Sequence, residues 1–113
     1  MHEQFAQGDL LIEHVSDTHP SGTLLQPAGQ VTVLAEGEVT GHRHAIYDRV
    51  TMFRDESLAR DIPHDLYVAH VRIDAAFARV EHDEHQPITL PRGTYRVRRQ
   101  RELEPKDAVL VCD

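Results

Sequence analysis

Short apolar stretches interrupted every few residues by Gly, Pro or Asp recur along the whole chain, and few segments carry a 3.6-residue apolar period for the length of a substantial helix. Such a chain buries its apolar side chains by alternation, so it reads as mainly β. Leu10-Leu11-Ile12-Glu13-His14-Val15, after Gly8-Asp9, forms a first strand, closed by the turn-rich stretch from Ser16 to Gly22. From Gln30 to Glu38 the pattern alternates, with Val31, Val33 and Ala35 on one side and Glu36-Gly37-Glu38 as a turn or bulge. Tyr67, Ala69, Val71 and Ile73 share a parity, as do Ala76, Ala78, Val80 and His82, which predicts two strands broken near Asp74. Ile88-Thr89-Leu90 is a short strand, and Pro91-Arg92-Gly93-Thr94 is a turn signal with Gly93 free to take a positive φ. Tyr95 and Val97 carry the sheet toward Gln100, and Val109-Leu110-Val111 could close it. Between Thr51 and Leu66 the pattern weakens, and Arg54 to Arg60 fits one helical turn or a loop.

A length of 113 residues allows a single domain, 1–113, with one modest core. Six to nine short strands in so small a domain predict an all-β, mainly antiparallel β-barrel or two-sheet sandwich with at most one short helix. Closure or stacking removes the edges that a flat sheet would expose. Composition agrees with a soluble globular protein, 40% hydrophobic and 27% charged. The net charge of −7 argues against a dedicated nucleic-acid binder, which needs clustered positive charge. No apolar run approaches a membrane span, and Met1-His2-Glu3-Gln4 lacks the basic-then-apolar order of a secretory signal, so a cytoplasmic location is expected. The single Cys112 forms no internal disulfide and reads as incidental. There is no repeat, no phosphate-binding glycine loop, no Ser or Cys nucleophile set beside a histidine in an interpretable motif and no paired-cysteine zinc signature.

Chemistry concentrates in four histidines. His42 and His44 lie in Gly41-His42-Arg43-His44, where positions two apart on a strand face the same side, and Gly41 permits a bulge. His82 and His85 lie in Glu81-His82-Asp83-Glu84-His85, three apart, so a turn or a single helical turn must bring them together; Pro87 supports that break. The parity that turns Val80 inward also turns His82 inward. Imidazole is the commonest protein ligand for transition metals, and two pairs from distant stretches would supply most of a coordination shell. The expected ligands are His42, His44 and His82, with His85 or Glu81 as the fourth. Flanking Glu81, Asp83 and Glu84 suit a carboxylate ligand, an acceptor that fixes an imidazole tautomer, or a general base. Five arginines fall between Arg92 and Arg101, but alternation splits them between faces; Arg99, on the side of Tyr95 and Val97, is placed to clamp an anion beside the metal. His2, His14, His19, His64 and His70 read as ordinary surface or core residues.

Gly37-Glu38-Val39-Thr40-Gly41-His42-Arg43-His44 followed by Asp48 resembles the first cupin motif, and Pro91-Arg92-Gly93 resembles the Pro-x-Gly of the second. This sequence departs from the family pattern by one residue fewer in the first spacer, by Asp48 in place of a glutamate, and by Arg96 where the second motif places a histidine. Asp48 is four residues past His44, about 13 Å along an extended strand, and reaches the same ion only if the chain bends. The segments 35–44 and 81–102 together are also similar to a family of small, largely uncharacterised bacterial and phage proteins with a Gly-His-x-His element and a His-x-x-His-x-Pro-Ile-x-Leu-Pro-x-Gly-x-Tyr element.

Two functions follow as expectations. One is a cupin-like barrel holding a divalent ion (zinc, iron, manganese or nickel) and acting on a small or anionic substrate, with Glu84 or Asp48 as proton acceptor. The other is a non-catalytic binding module, a homo-oligomer formed through barrel edges, whose histidines are incidental or tune assembly with pH.

Overall fold

The computed structural model describes residues 3–16, 18–26, 31–36 and 42–100. Among these residues it contains eight strands: β1 Gln4–Gln7, β2 Leu10–Val15, β3 Thr23–Leu25, β4 Thr32–Glu36, β5 Arg43–Ile46, β6 Thr51–Arg54, β7 Tyr67–Glu81 and β8 Ile88–Arg99. Glu56–Leu58 and His64–Leu66 are single 3₁₀ turns, the first capped by Asp55, whose Oδ1 accepts from Ser57 N–H at 3.0 Å. All pairings are antiparallel. The fold is all-β, as the alternation predicts.

The long β7–β8 hairpin shapes the molecule. Its register jumps from Ile73↔Gly93 to Phe77↔Pro91, so four steps on β7 span two on β8. This bulge bends the hairpin and divides its pairing. Before the bend, β7 pairs with β6, and β8 with β2; after it, β7 pairs with β5. Two layers result, β1-β2-β8-β7-β6-β3 and β8-β7-β5-β4, as parts of one open sheet folded over itself. Leu10, Ile12, Val71, Ile73 and Val97 from the first layer meet Leu34, Ile46, Ala78, Val80 and Leu90 from the second in one core. Ala59, Ile62 and Tyr67 form a second, smaller cluster.

The expected break near Asp74 is this bulge inside a continuous strand. Pro91-Arg92-Gly93-Thr94 is not a turn: β8 runs through it, and Gly93 takes φ 148° at the bend. A β-carbon at residue 93 would lie 2.8 Å from His14 Nε2, so the glycine serves close packing as well as conformation. In β4 the buried side chains are Thr32 and Leu34, with Val33 only half-buried, which reverses the expected face. A bulge between Val33 and Ala35 then turns Ala35 inward as well. Strands β1, β3 and β6 were not anticipated. Residues 37–41, with the proposed Gly37 turn and Gly41 bulge, and Val109–Val111 lie outside the described residues. Among the described residues no helix is long and apolar enough to cross a membrane.

Candidate functional site

Three hairpin ends meet at one end of the folded sheet. They are the Gly8-Asp9 turn between β1 and β2, the start of β5 with His42 just before it, and the turn from His82 to Pro87 that joins β7 to β8. Gly8-Asp9 is a two-residue loop whose first position has φ +60°, the requirement that selects glycine there. Its missing side chain also matters, because a β-carbon on Gly8 would stand 2.9 Å from His85 Nε2 and 3.4 Å from His44 Cε1.

The four predicted imidazoles are brought together. Ring centres are 4.5 Å apart for His44 and His82, 4.6 Å for His82 and His85, 6.3 Å for His44 and His85, and 5.9 Å for His42 and His82. His82 therefore lies at the middle, its side chain 5% exposed, as the parity of Val80 predicts. His44, His82 and His85 form a triangle, and His42 joins it from outside through His82.

Gln7, on the neighbouring hairpin, sets the chemistry of His44. The Gln7 amide nitrogen donates to Val80 O at 3.2 Å and Gln86 O at 2.9 Å, which turns Gln7 Oε1 toward His44 Nδ1 at 2.8 Å. His44 Nδ1 must then carry the proton and donate it, leaving a lone pair on Nε2. Burial first, then the nearby His82, lower the His44 pKa to about 4, with His85 and Arg99 adding to the shift and Asp9 opposing it. A neutral ring with one nitrogen anchored and the other bare is the state in which imidazole binds a metal.

The remaining rings are held differently. His42 Nδ1 lies 2.7 Å from Glu84 Oε1, and its Nε2 3.2 Å from Asp83 Oδ2, so both nitrogens face carboxylates. His82 Nδ1 accepts the backbone N–H of Glu84 at 3.0 Å, which puts the neutral ring's proton on Nε2. Among the described residues no three His, Cys, Asp or Glu side chains form a ready-made shell for an ion. The rings are gathered, but both His42 nitrogens are engaged by carboxylate acceptors, and the Nδ1 lone pair of His82 is taken by the Glu84 N–H.

The carboxylates are distributed otherwise than expected. Asp83 stands between His42 and His82, its Oδ1 3.5 Å from His82 Nδ1, and Asp9 Oδ1 lies 3.8 Å from His44 Nε2. Glu81 is exposed on β7. Glu84 serves His42. Asp48 Oδ2 accepts from the backbone N–H of Arg79 at 2.9 Å, a structural tie, and its described contacts include none of the four imidazoles. Arg99 does reach this end of the molecule, but it is engaged: Nη1 bonds Asp9 Oδ2 at 2.7 Å and Nη2 donates to Glu36 O at 3.1 Å. Arg96, at the histidine position of the second cupin motif, bonds Glu13 and Asp61. Gln7 and Asp9 were missed: Gly8-Asp9 is a local hairpin signal, but nothing in the sequence shows that this turn lies against the histidines.

A fifth histidine, His70, is also buried. Tyr67 O–H accepts from Asp55 N–H at 3.0 Å, so its own proton goes to His70 Nδ1 at 2.7 Å, and Phe53 stacks on the ring with centres 5.3 Å apart. Burial lowers this pKa too to about 4, with help from Arg96.

A family model described as a domain of unknown function (DUF8820) matches residues 6–100, and the chain belongs to that family. The matched span runs from β1 through β8 and so contains every residue of the histidine cluster. No curated protein and no solved structure matches the chain.

Proposed function

We propose that the protein binds a divalent transition-metal ion at the histidine cluster, with His44, His82 and His85 as imidazole ligands and Asp9 or Asp83 as the carboxylate. The observation that carries this reading is the neutral, anchored His44 at one corner of a triangle of imidazoles. Three imidazoles on one tetrahedral ion, with bonds of about 2.0–2.1 Å, have ring centres roughly 5 Å apart. The separations of 4.5, 4.6 and 6.3 Å bracket that value. To join, His82 exchanges its Glu84 N–H bond for the ion, whereas His44 only has to use the lone pair it already presents. His42 enters the shell only by releasing Asp83, so it ranks below His85.

A shell of this composition accommodates zinc, iron, manganese or nickel, and the ion would supply Lewis-acid chemistry to whatever reaction the protein performs. The chain's own residues do the rest. Gln7 fixes the His44 tautomer, the Arg99 ion pair holds Asp9 beside His44, and Glu84 is the carboxylate placed to accept a proton next to the cluster. With Arg99 committed to Asp9 and Glu36, no anion clamp is part of this reading.

Elemental analysis of protein purified without an affinity tag is the direct test, followed by reconstitution. About one equivalent of a single transition metal is expected. Less than about 0.2 equivalents before and after reconstitution would refute the assignment.

A further inference from the structure

Beside His82 a cavity of about 470 Å³ is lined by Glu36, Arg43, Tyr47, Glu81, His82 and Asp83. Its size suits a small organic ligand rather than a bare ion. Its walls have a definite chemistry. Three carboxylates face one guanidinium, and among the described residues the side chains of Glu36, Glu81 and Arg43 form no ion pair. Tyr47 is 52% exposed, one of three large hydrophobic side chains left so open among the described residues. It follows Ile46, the last residue of β5, and Ala45 of that strand pairs with Glu81. An aromatic face beside unpaired carboxylates is what recognises a cationic nitrogen.

We propose that this cavity binds a small organic cation with a primary ammonium group, held by Glu81 and Glu36 and covered by the Tyr47 ring. Arg43, opposite Glu36 across β4 and β5, is the one guanidinium of the lining and weakens the pocket's hold on an ammonium group. The inference goes beyond metal binding: His82 and Asp83 are walls common to both sites, but the ammonium partners are not the proposed metal ligands.

The full chain is titrated with 1,4-diaminobutane by calorimetry, in chelator and again with one equivalent of zinc, with glutarate as the anion of similar length. Saturable 1:1 binding of the diamine with Kd about 1 mM or tighter, and no binding of glutarate, is expected. Glu81→Gln and Tyr47→Ala should each weaken the diamine about fivefold, while Arg43→Gln tightens it about twofold. Both weakening sites are exposed, so an unchanged melting curve certifies the fold. Equal binding of glutarate, no saturable diamine binding, or a diamine affinity indifferent to Glu81 and Tyr47 overturns the proposal. Failure here with zinc still taken up refutes the ammonium pocket alone; diamine binding without zinc uptake refutes the metal reading alone.

Discussion

His44 and His70 are alike in every quantity a survey of buried groups would record, and opposite in chemistry. Each is almost fully buried, and each has its pKa pushed down to about 4 chiefly by burial. At His70 the Nδ1 lone pair is consumed by Tyr67 O–H, and Phe53 covers the ring. At His44 the partner is an acceptor, Gln7 Oε1, so Nδ1 donates and the Nε2 lone pair faces other imidazoles and Asp9. A depressed histidine pKa therefore does not mark a functional ring by itself; the direction of the one free lone pair does.

Exchanging each ring for alanine breaks the comparison most sharply. His44→Ala should lower the affinity for zinc at least about 100-fold, close to 2.7 kcal/mol. His70→Ala should leave metal affinity within about twofold while costing about 2–4 kcal/mol of stability, since it opens a cavity and strands Tyr67 O–H. Competition with a chromophoric chelator and urea unfolding measure the two effects. Equal metal loss in both variants would erase the distinction.

Acid should affect the two rings together. Each folded pKa lies near 4 and the free imidazole near 6.5, so between these values the unfolded chain takes up protons that the folded chain refuses. Stability of the metal-free protein then rises with pH through this window, and is lost as pH falls. From pH 7 to pH 5 each ring contributes about 2 kcal/mol of destabilisation. Urea midpoints at the two pH values check this, and the pH dependence should shrink by about half in His44→Gln and in His70→Gln alike.

What could be read from the sequence follows from the range of each signal. Parity is local, so the inward faces of Tyr67, Ala69, Val71 and Ile73 and the inward turn of His82 were legible without coordinates. The meeting of His42 and His44 with His82 and His85 was legible as an expectation because two clusters of one chemistry have few reasons to coexist. Gln7 and Asp9 were not, because their role depends on the β1–β2 turn lying against a hairpin end more than seventy residues away. For the same reason Asp48 and Arg99 looked available: the Arg79 backbone and the Asp9 carboxylate that occupy them are tertiary partners. Pro91-Arg92-Gly93 misled because bending a paired strand and reversing a chain call for the same residues.

A smaller effect should sharpen the closed side of the comparison. Tyr67→Phe removes the donor to His70 Nδ1 and the acceptor for Asp55 N–H, which leaves one buried and one part-buried group unsatisfied and costs about 1–3 kcal/mol. Zinc affinity should not move. Thermal unfolding with and without zinc separates these outcomes, and a parallel fall in affinity would mean that the two histidine environments are coupled.

The smallest expected effect tests the open side by its floor. Gly8 holds φ +60° and approaches His85 and His44, so Gly8→Ala carries two penalties: left-handed strain of roughly 1 kcal/mol and a contact that must be relieved by moving a ring. His70 is remote from this turn, and its environment should be untouched. The two penalties separate in an His85→Ala background, where the β-carbon meets an open space in place of Nε2. There the added cost of Gly8→Ala should fall to the strain alone, about 1 kcal/mol by urea unfolding. In the parent chain it should be larger and accompanied by weaker zinc binding. If the cost is the same in both backgrounds and zinc binding is unchanged, the turn does not press on His85, and the open face of the cluster is not shaped by the β1–β2 hairpin.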